Sequence, residues 1–318
     1  MMRGMRAGVA GVAGTALALV AISACTTPAS THTAPTPVTG RVVVDSFRAA
    51  TFGGKMMRYH VLLPVGYDAA RHYPVFWLLH GYGGNDANWV DLTKLVHDAA
   101  PYQMIVVMPA VGDTWYVDAV HDTTQRVEQY MVRELPAEIA KHFSIDMTRQ
   151  AIAGLSMGGY GALMLALRHP NQYTVAGGLS AAISVPATFD SVTKRVAEKS
   201  LVHAFGALVT PNSAADVFYL IHAVTKATEA GNLPNKRLSY FFVAIGESDD
   251  FPTFVPANRA FTDSLRIHHV AYEYHEVPGK HSWKVWGGEL PALLNAVWDR
   301  IGTGFVRVRQ DKPLAKSQ

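Results

Sequence analysis

The five residues Gly154-Leu155-Ser156-Met157-Gly158 constrain this chain more than any other stretch. An apolar run, Gln150-Ala151-Ile152-Ala153, leads in, and a helix-forming run, Tyr160-Gly161-Ala162-Leu163-Met164-Leu165, leads out. A strand that becomes a helix this abruptly leaves no room for side chains two positions either side of the turn. Glycine at 154 and 158 meets that need, at the cost of the extra backbone entropy that glycine loses on folding. Ser156, at the apex, is then raised above the sheet at a helix N-terminus, where the dipole favours a developing negative charge. It is the candidate nucleophile.

A serine hydroxyl is a poor nucleophile at neutral pH. It needs a base, and the base needs an orienting acid. With this kind of turn, the acid and then the histidine follow the serine along the chain. Of fourteen histidines, His281 in Pro278-Gly279-Lys280-His281-Ser282-Trp283 occupies a loop between the last expected strand and the last expected helix. His275 lies inside a strand-like run, and His268 and His269 close a helix-like one; these read as ordinary surface or packed histidines. The acid is expected just after Phe241-Phe242-Val243-Ala244-Ile245-Gly246, which leaves Glu247, Asp249 and Asp250. Asp249 is favoured, with the other two as alternatives. An oxyanion needs two backbone N–H donors. Met157, after the nucleophile, supplies one. Tyr82, in His80-Gly81-Tyr82-Gly83-Gly84, supplies the other.

Strand-like and helix-like segments alternate around this turn, which predicts a mostly parallel α/β sheet with helices on both faces. Residues 74–80 and 103–109 are continuous apolar runs, as in strands buried on both faces. "RVVVDSF" and "KMMRYHVLLP" read as an opening antiparallel pair. Helices are expected over about 124–142 and 288–301. Residues 184–234 break the rhythm with two helix-like pieces and no strand, and read as a helical cap inserted over the rim where such sheets place their sites.

Hydrophobic residues make up 49% of the 318 and the net charge is only +3, which suits a globular enzyme and excludes a nucleic-acid-binding chain. Arg3 and Arg6 precede a charge-free apolar stretch from Ala7 to Ala24 that ends in Ile22-Ser23-Ala24-Cys25. This pattern predicts a signal peptide over 1–24. The sole cysteine, Cys25, stands where a bacterial lipoprotein carries its lipid, so the expected location is the cell envelope, with a soluble secreted form as the alternative. Residues 25–40, rich in Thr, Pro, Ala and Ser, read as a flexible tether. Residues 41–308 form the expected domain, and 309–318 a disordered tail.

With these stretches assembled, "LLHGYGGNDANW", "VVMPAVGDTWYVD", "AIAGLSMGGYGAL", "IGESDD" and "GKHSWKVW" together resemble the putative esterase family of α/β-hydrolases. That family includes feruloyl and acetyl-xylan esterases, S-formylglutathione hydrolase and the antigen 85 mycolyltransferases. The resemblance implies an α/β-hydrolase fold, a Ser156-His281-Asp249 triad, an oxyanion hole at Tyr82 and Met157, and substrate contacts at Trp115 and Tyr116. One motif departs: the family's PDG or PNG is here Pro109-Ala110-Val111-Gly112. The function implied is exported ester hydrolysis through an acyl-enzyme, on a small-molecule or carbohydrate ester. The alternatives are acyl transfer to a sugar, or an inactive envelope-binding lipoprotein. No cofactor and no metal are expected; "HHVAYEYH" reads as a strand edge with scattered histidines. Oligomeric state is left open.

Overall fold

The computed structural model describes residues 39–184, 191–206, 213–232 and 238–302, the side chains of 191–196 excepted. The expected signal peptide, Cys25, the tether up to residue 38, the tail, residues 303–308 and the parts 185–190, 207–212 and 233–234 of the expected cap lie outside the described residues. The opening pair is β1 (Arg41–Ala49) and β2 (Lys55–Leu63), antiparallel as expected. Then come β3 (Tyr73–Leu79), the short helices α1 (Asn88–Leu92) and α2 (Leu95–Asp98), and β4 (Ile105–Pro109). A helical stretch follows as α3 (Val127–Gln129), a π turn (Tyr130–Glu134) and α4 (Leu135–His142). The turn at Ser156 joins β5 (Ile145–Leu155) to α5 (Met157–Arg168). Beyond it lie β6 (Val175–Leu179), α6 (Ser191–Phe205), α7 (Val217–Glu229), β7 (Tyr240–Gly246), α8 (Phe254–Ile267), β8 (Tyr272–Val277) and α9 (Trp283–Ile301).

The eight strands run in the order β1-β2-β4-β3-β5-β6-β7-β8, and from β4 to β8 every pairing is parallel. Parallel strands need both faces covered. Strand β3 illustrates how: Tyr73, Val75, Trp77 and Leu79 enter one core, Phe76 and Leu78 the other. The first core is closed by α3 to α8, the second by α1, α2 and α9. The C-terminal ends of β3 to β8 therefore share one rim, where open α/β sheets hold ligands.

Three boundaries differ from expectation. Strand β5 begins five residues before its apolar run, because Ile145 and Asp146 pair with Tyr73 and Pro74 of β3 and the ladder resumes at Gln150 opposite Val75, across a bulge at Pro74/Val75. The helical stretch begins at Val127 rather than 124, since Asp122 caps a turn by accepting from Thr124 N. Helix α9 begins at Trp283, not 288; Gly287 and Gly288 lie within it, and the burial of Val285 and Trp286 fixes its first turns.

Candidate active site

Ser156 is held at φ +53°, ψ −117°, a conformation that costs a residue with a Cβ. Its N–H donates to the carbonyl of Leu179 (2.8 Å), and its own carbonyl accepts from Tyr160 N (3.0 Å) and Ala182 N (3.1 Å). The two flanking glycines are sterically required. A Cβ on Gly154 would stand 2.5 Å from the backbone of Gly158, and one on Gly158 would stand 2.4 Å from the carbonyl oxygen of His80. This is the crowding expected of the turn.

The acid and the base meet. His281 Nδ1 donates to Asp249 Oδ2 at 2.8 Å, and Asp249 Oδ1 accepts from Phe251 N at 3.0 Å. Because a carboxylate only accepts, the neutral imidazole carries its proton on Nδ1 and presents a lone pair at Nε2. The Asp249 side chain is fully buried and that of His281 nearly so. Phe251, Phe254 and Trp286 stand edge-on around the imidazole at 4.9, 5.5 and 4.9 Å between ring centroids. Ser248 N donates to the carbonyl of Gly279 (3.0 Å), which ties the acid loop to the histidine loop. The alternatives do not reach: Asp250 pairs with Lys280 at 3.3 Å and Glu247 is exposed. Ser156, Asp249 and His281 follow β5, β7 and β8 and so share the rim. No hydrogen bond joins the Ser156 hydroxyl to His281 among the described residues; such contacts commonly tighten only when substrate closes the site.

Met157 opens α5, so its N–H is among the helix-end donors with no intrahelical acceptor. Tyr82 lies in the turn Gly81–Gly84, closed by Gly84 N donating to Gly81 O (3.1 Å). That turn abuts the nucleophile: a Cβ on Gly81 would be 2.4 Å from Leu155 Cδ1 and 3.4 Å from Ser156 Cβ. His80 is buried, which lowers its pKa and keeps it neutral.

Trp115 faces Tyr82 (6.3 Å), Tyr160 (6.3 Å) and Phe205 (6.4 Å) in an aromatic wall, and its Nε1 donates to Ser200 Oγ at 3.0 Å. Ser200 and Phe205 belong to α6, so the inserted helices reach this wall from the rim side. Tyr116 is wholly buried, its hydroxyl donating to the carbonyl of His80 at 3.0 Å. It lies beneath the loop rather than on an open surface.

Sequence reasoning missed the groups that brace this loop. Asp113 Oδ1 accepts from Gly83 N at 2.6 Å. Asp86 accepts from Arg58 Nε (2.9 Å) and pairs with His60 Nδ1 (2.7 Å). Burial opposes ionisation of Asp86, but the hydrogen bonds from Arg58 and His60 outweigh it and hold the carboxyl below its ordinary range. Both aspartates stand inside the motifs already singled out, but no periodic pattern marks a carboxylate that caps a backbone N–H. His275 sits between Glu289 (2.6 Å) and Glu273 (2.8 Å). Among the described residues, no group of three or more His, Cys, Asp or Glu could hold a metal ion.

The parallel sheet and the strained serine turn at its rim define a protein of the α/β-hydrolase fold. More particularly, the chain belongs to the family described as "Putative esterase", whose model matches residues 50–297. It is 32% identical over 149 residues to an endo-1,4-beta-xylanase/feruloyl esterase of Xylanibacter ruminicola, covering 42% of this chain and 20% of that protein. It is 29% identical over 138 residues to the S-formylglutathione hydrolase of Bos taurus, covering 37% of this chain and 49% of that one. The chain thus spans between a fifth and a half of the length of these curated relatives. Among solved structures, an S-formylglutathione hydrolase from Agrobacterium tumefaciens superposes with a TM-score of 0.68 at 22% identity, covering 84% of this chain and 98% of the other, a likeness of fold.

Proposed function

We propose that this chain is a serine carboxylic ester hydrolase. The observation that carries the reading is the buried Asp249–His281 hydrogen bond on the same sheet rim as the strained Ser156. His281 Nε2 takes the proton of the Ser156 hydroxyl as Oγ attacks the ester carbonyl. The negative charge that develops on the carbonyl oxygen meets the N–H groups of Met157 and Tyr82. The alcohol then leaves with the proton held by His281. Water, deprotonated by the same imidazole, hydrolyses the acyl-Ser156 ester and restores the serine. Asp249 keeps the proton on Nδ1 and stabilises the imidazolium. Trp115 and Tyr82 border the substrate, with Tyr160 and Phe205 packed behind Trp115.

The test is a panel of p-nitrophenyl esters of rising acyl length, with feruloyl and acetylated sugars, against the native chain and Ser156→Ala. Hydrolysis by the native chain alone, with fluorophosphonate labelling that maps to Ser156, is expected. Equal rates in the two chains would refute the reading. Acyl product appearing on an added sugar instead of in water would make the enzyme an acyltransferase.

For location, the basic Arg3 and Arg6, the apolar stretch after them and Cys25 support export and lipid anchoring at a bacterial envelope. Metabolic labelling with an alkyne fatty acid that persists in Cys25→Ser would refute the anchor.

A further inference from the structure

We propose that Tyr116 and Asp113 are positioning residues that pin the Tyr82 loop from both sides, so that its N–H points where the oxyanion forms. The inference rests on the esterase reading and adds to it. Tyr82 is the second residue of the tight turn Gly81–Gly84, and the short stretch 111–116 bonds to this loop at His80 and at Gly83. On the N-terminal side, the Tyr116 hydroxyl donates to His80 O (3.0 Å). His80 itself is locked in one tautomer: Nδ1 donates to Gly81 O (2.8 Å) and Nε2 accepts from Val111 N (3.3 Å). On the C-terminal side, Asp113 accepts from Gly83 N at 2.6 Å. Between the anchors at His80 and Gly83 stand only Gly81 and Tyr82.

Placing Tyr116 there has a backbone cost. Trp115 and Tyr116 are consecutive non-glycine residues at φ +57° and +60°. Such strain persists only when the surroundings over-determine it. Tyr116 also braces the other half of the hole: its Cβ lies where a side chain on Gly161 would begin, 2.6 Å from the ideal Cβ position. Gly161 belongs to α5, the helix whose first N–H is that of Met157. One strained corner thus sets the spacing between the two donors. Burial drives the Tyr116 pKa well above its ordinary value, so the hydroxyl remains a donor across the working pH range.

A donor that matters only when charge develops should affect the transition state and not ground-state binding. With p-nitrophenyl acetate, Tyr116→Phe and Asp113→Ala should each lower kcat by about tenfold or more while KM changes by less than about threefold. Affinity for 1,1,1-trifluoroacetone, which adds to Ser156 as an anionic hemiketal, should fall in the same proportion. Asp113→Asn, which keeps an acceptor oxygen for Gly83 N, should recover most of the loss. Near-UV circular dichroism reports folding; should Tyr116→Phe fail to fold, the Asp113→Ala and Asp113→Asn pair decides. Native-like kcat and ketone affinity in the folded variants would overturn the proposal, as would a loss confined to KM. If the native chain and Ser156→Ala turn over the ester equally, the esterase reading itself has failed, an outcome visible before any Tyr116 or Asp113 variant is measured.

Discussion

Asp249→Asn separates a catalytic dyad from a structural one. In the native chain the two carboxylate oxygens serve two donors, His281 Nδ1–H at 2.8 Å and Phe251 N–H at 3.0 Å. An asparagine has one acceptor oxygen and one NH2 group. The Phe251 donor is backbone and cannot become an acceptor, so the amide oxygen turns to it. The NH2 then faces His281 and forces the imidazole to accept at Nδ1. Its proton moves to Nε2, the nitrogen that should receive the Ser156 proton, and the base is blocked. A tautomer inversion of this kind costs ~10⁴ in kcat in another serine hydrolase. At about 1.36 kcal/mol per decade, a loss of ~10³ to 10⁴ corresponds to roughly 4 to 5.4 kcal/mol of transition-state stabilisation. Folding should change far less, since Phe251 keeps its acceptor, the His281 bond re-forms in the opposite direction, and a neutral hydrogen bond contributes only about 1 kcal/mol net. The assay is kcat for p-nitrophenyl acetate beside a urea melt of the same preparation. A folded Asp249→Asn within about tenfold of the native rate would refute the tautomer argument. A large activity loss matched by an equal loss of stability would refute it too.

Three further outcomes follow from positions elsewhere on the rim and behind it. Gly158→Ala drives a Cβ to 2.4 Å from His80 O and 2.8 Å from Leu79 O, both backbone, and should lose about 1–3 kcal/mol in a urea melt along with activity. Gly288→Ala, in α9 with nothing within 4 Å of the new carbon, should instead gain up to about 1 kcal/mol. For His275, burial lowers the pKa, but the hydrogen bonds and charges of Glu289 and Glu273 outweigh it and raise it above the ordinary histidine value. A raised folded-state pKa gives stability that is full below about pH 6.5 and lost as the pH rises through the folded value. The melting temperature of His275→Gln should therefore lie furthest below that of the native chain in mild acid, and the gap should close toward pH 9; a gap that is constant or widens with pH would contradict the ion pair.

The parts of the fold that were legible in the sequence are those with one physical requirement per residue. Strands β3 and β4 are buried on both faces, so their sequences are unbroken apolar runs. The serine turn needs glycine at two fixed offsets, and those offsets are visible in any sequence. Helix order and the loops that hold His281 and the candidate acids Glu247, Asp249 and Asp250 followed from where loops fall between such runs. What escaped notice depended on contacts between distant segments. The first half of β5 is polar, and only its pairing with β3 makes it a strand. The last helix is expected to start only at about Gly288, yet Val285 and Trp286 before it are buried and extend α9 back to Trp283. Asp113 and Asp86 are indistinguishable by type from solvated loop carboxylates. Their roles appear only when residues 30 and 28 positions away, Gly83 and Arg58, are brought beside them.

Backbone strain in this chain has a location, and the location bears on function. Among the described residues, five non-glycine positions have positive φ: Trp115, Tyr116, Ser156, Ser180 and His269. The first four follow the C-terminal ends of β4, β5 and β6, on the rim that carries the candidate nucleophile. Each such residue costs on the order of 1–3 kcal/mol, and a chain selected only for stability would shed it. The core supplies the surplus: Trp77, Phe76 and Tyr160 are all fully buried. Ser180 adds a second kind of cost, a buried hydroxyl directly after β6 with no hydrogen-bond partner among the described residues. Its own N–H donates to Ala244 O at 2.7 Å, while the neighbouring Leu179 O accepts from Ser156 N at 2.8 Å. A relaxed backbone at Ser180 would thus move the acceptor that holds the nucleophile's turn. Trp115, Tyr116, Ser156 and Ser180 thus stand along one rim, where the bonds at Ser156 and Ser180 join β5, β6 and β7. This is the arrangement expected where geometry at a reacting atom is maintained against the preference of the local chain.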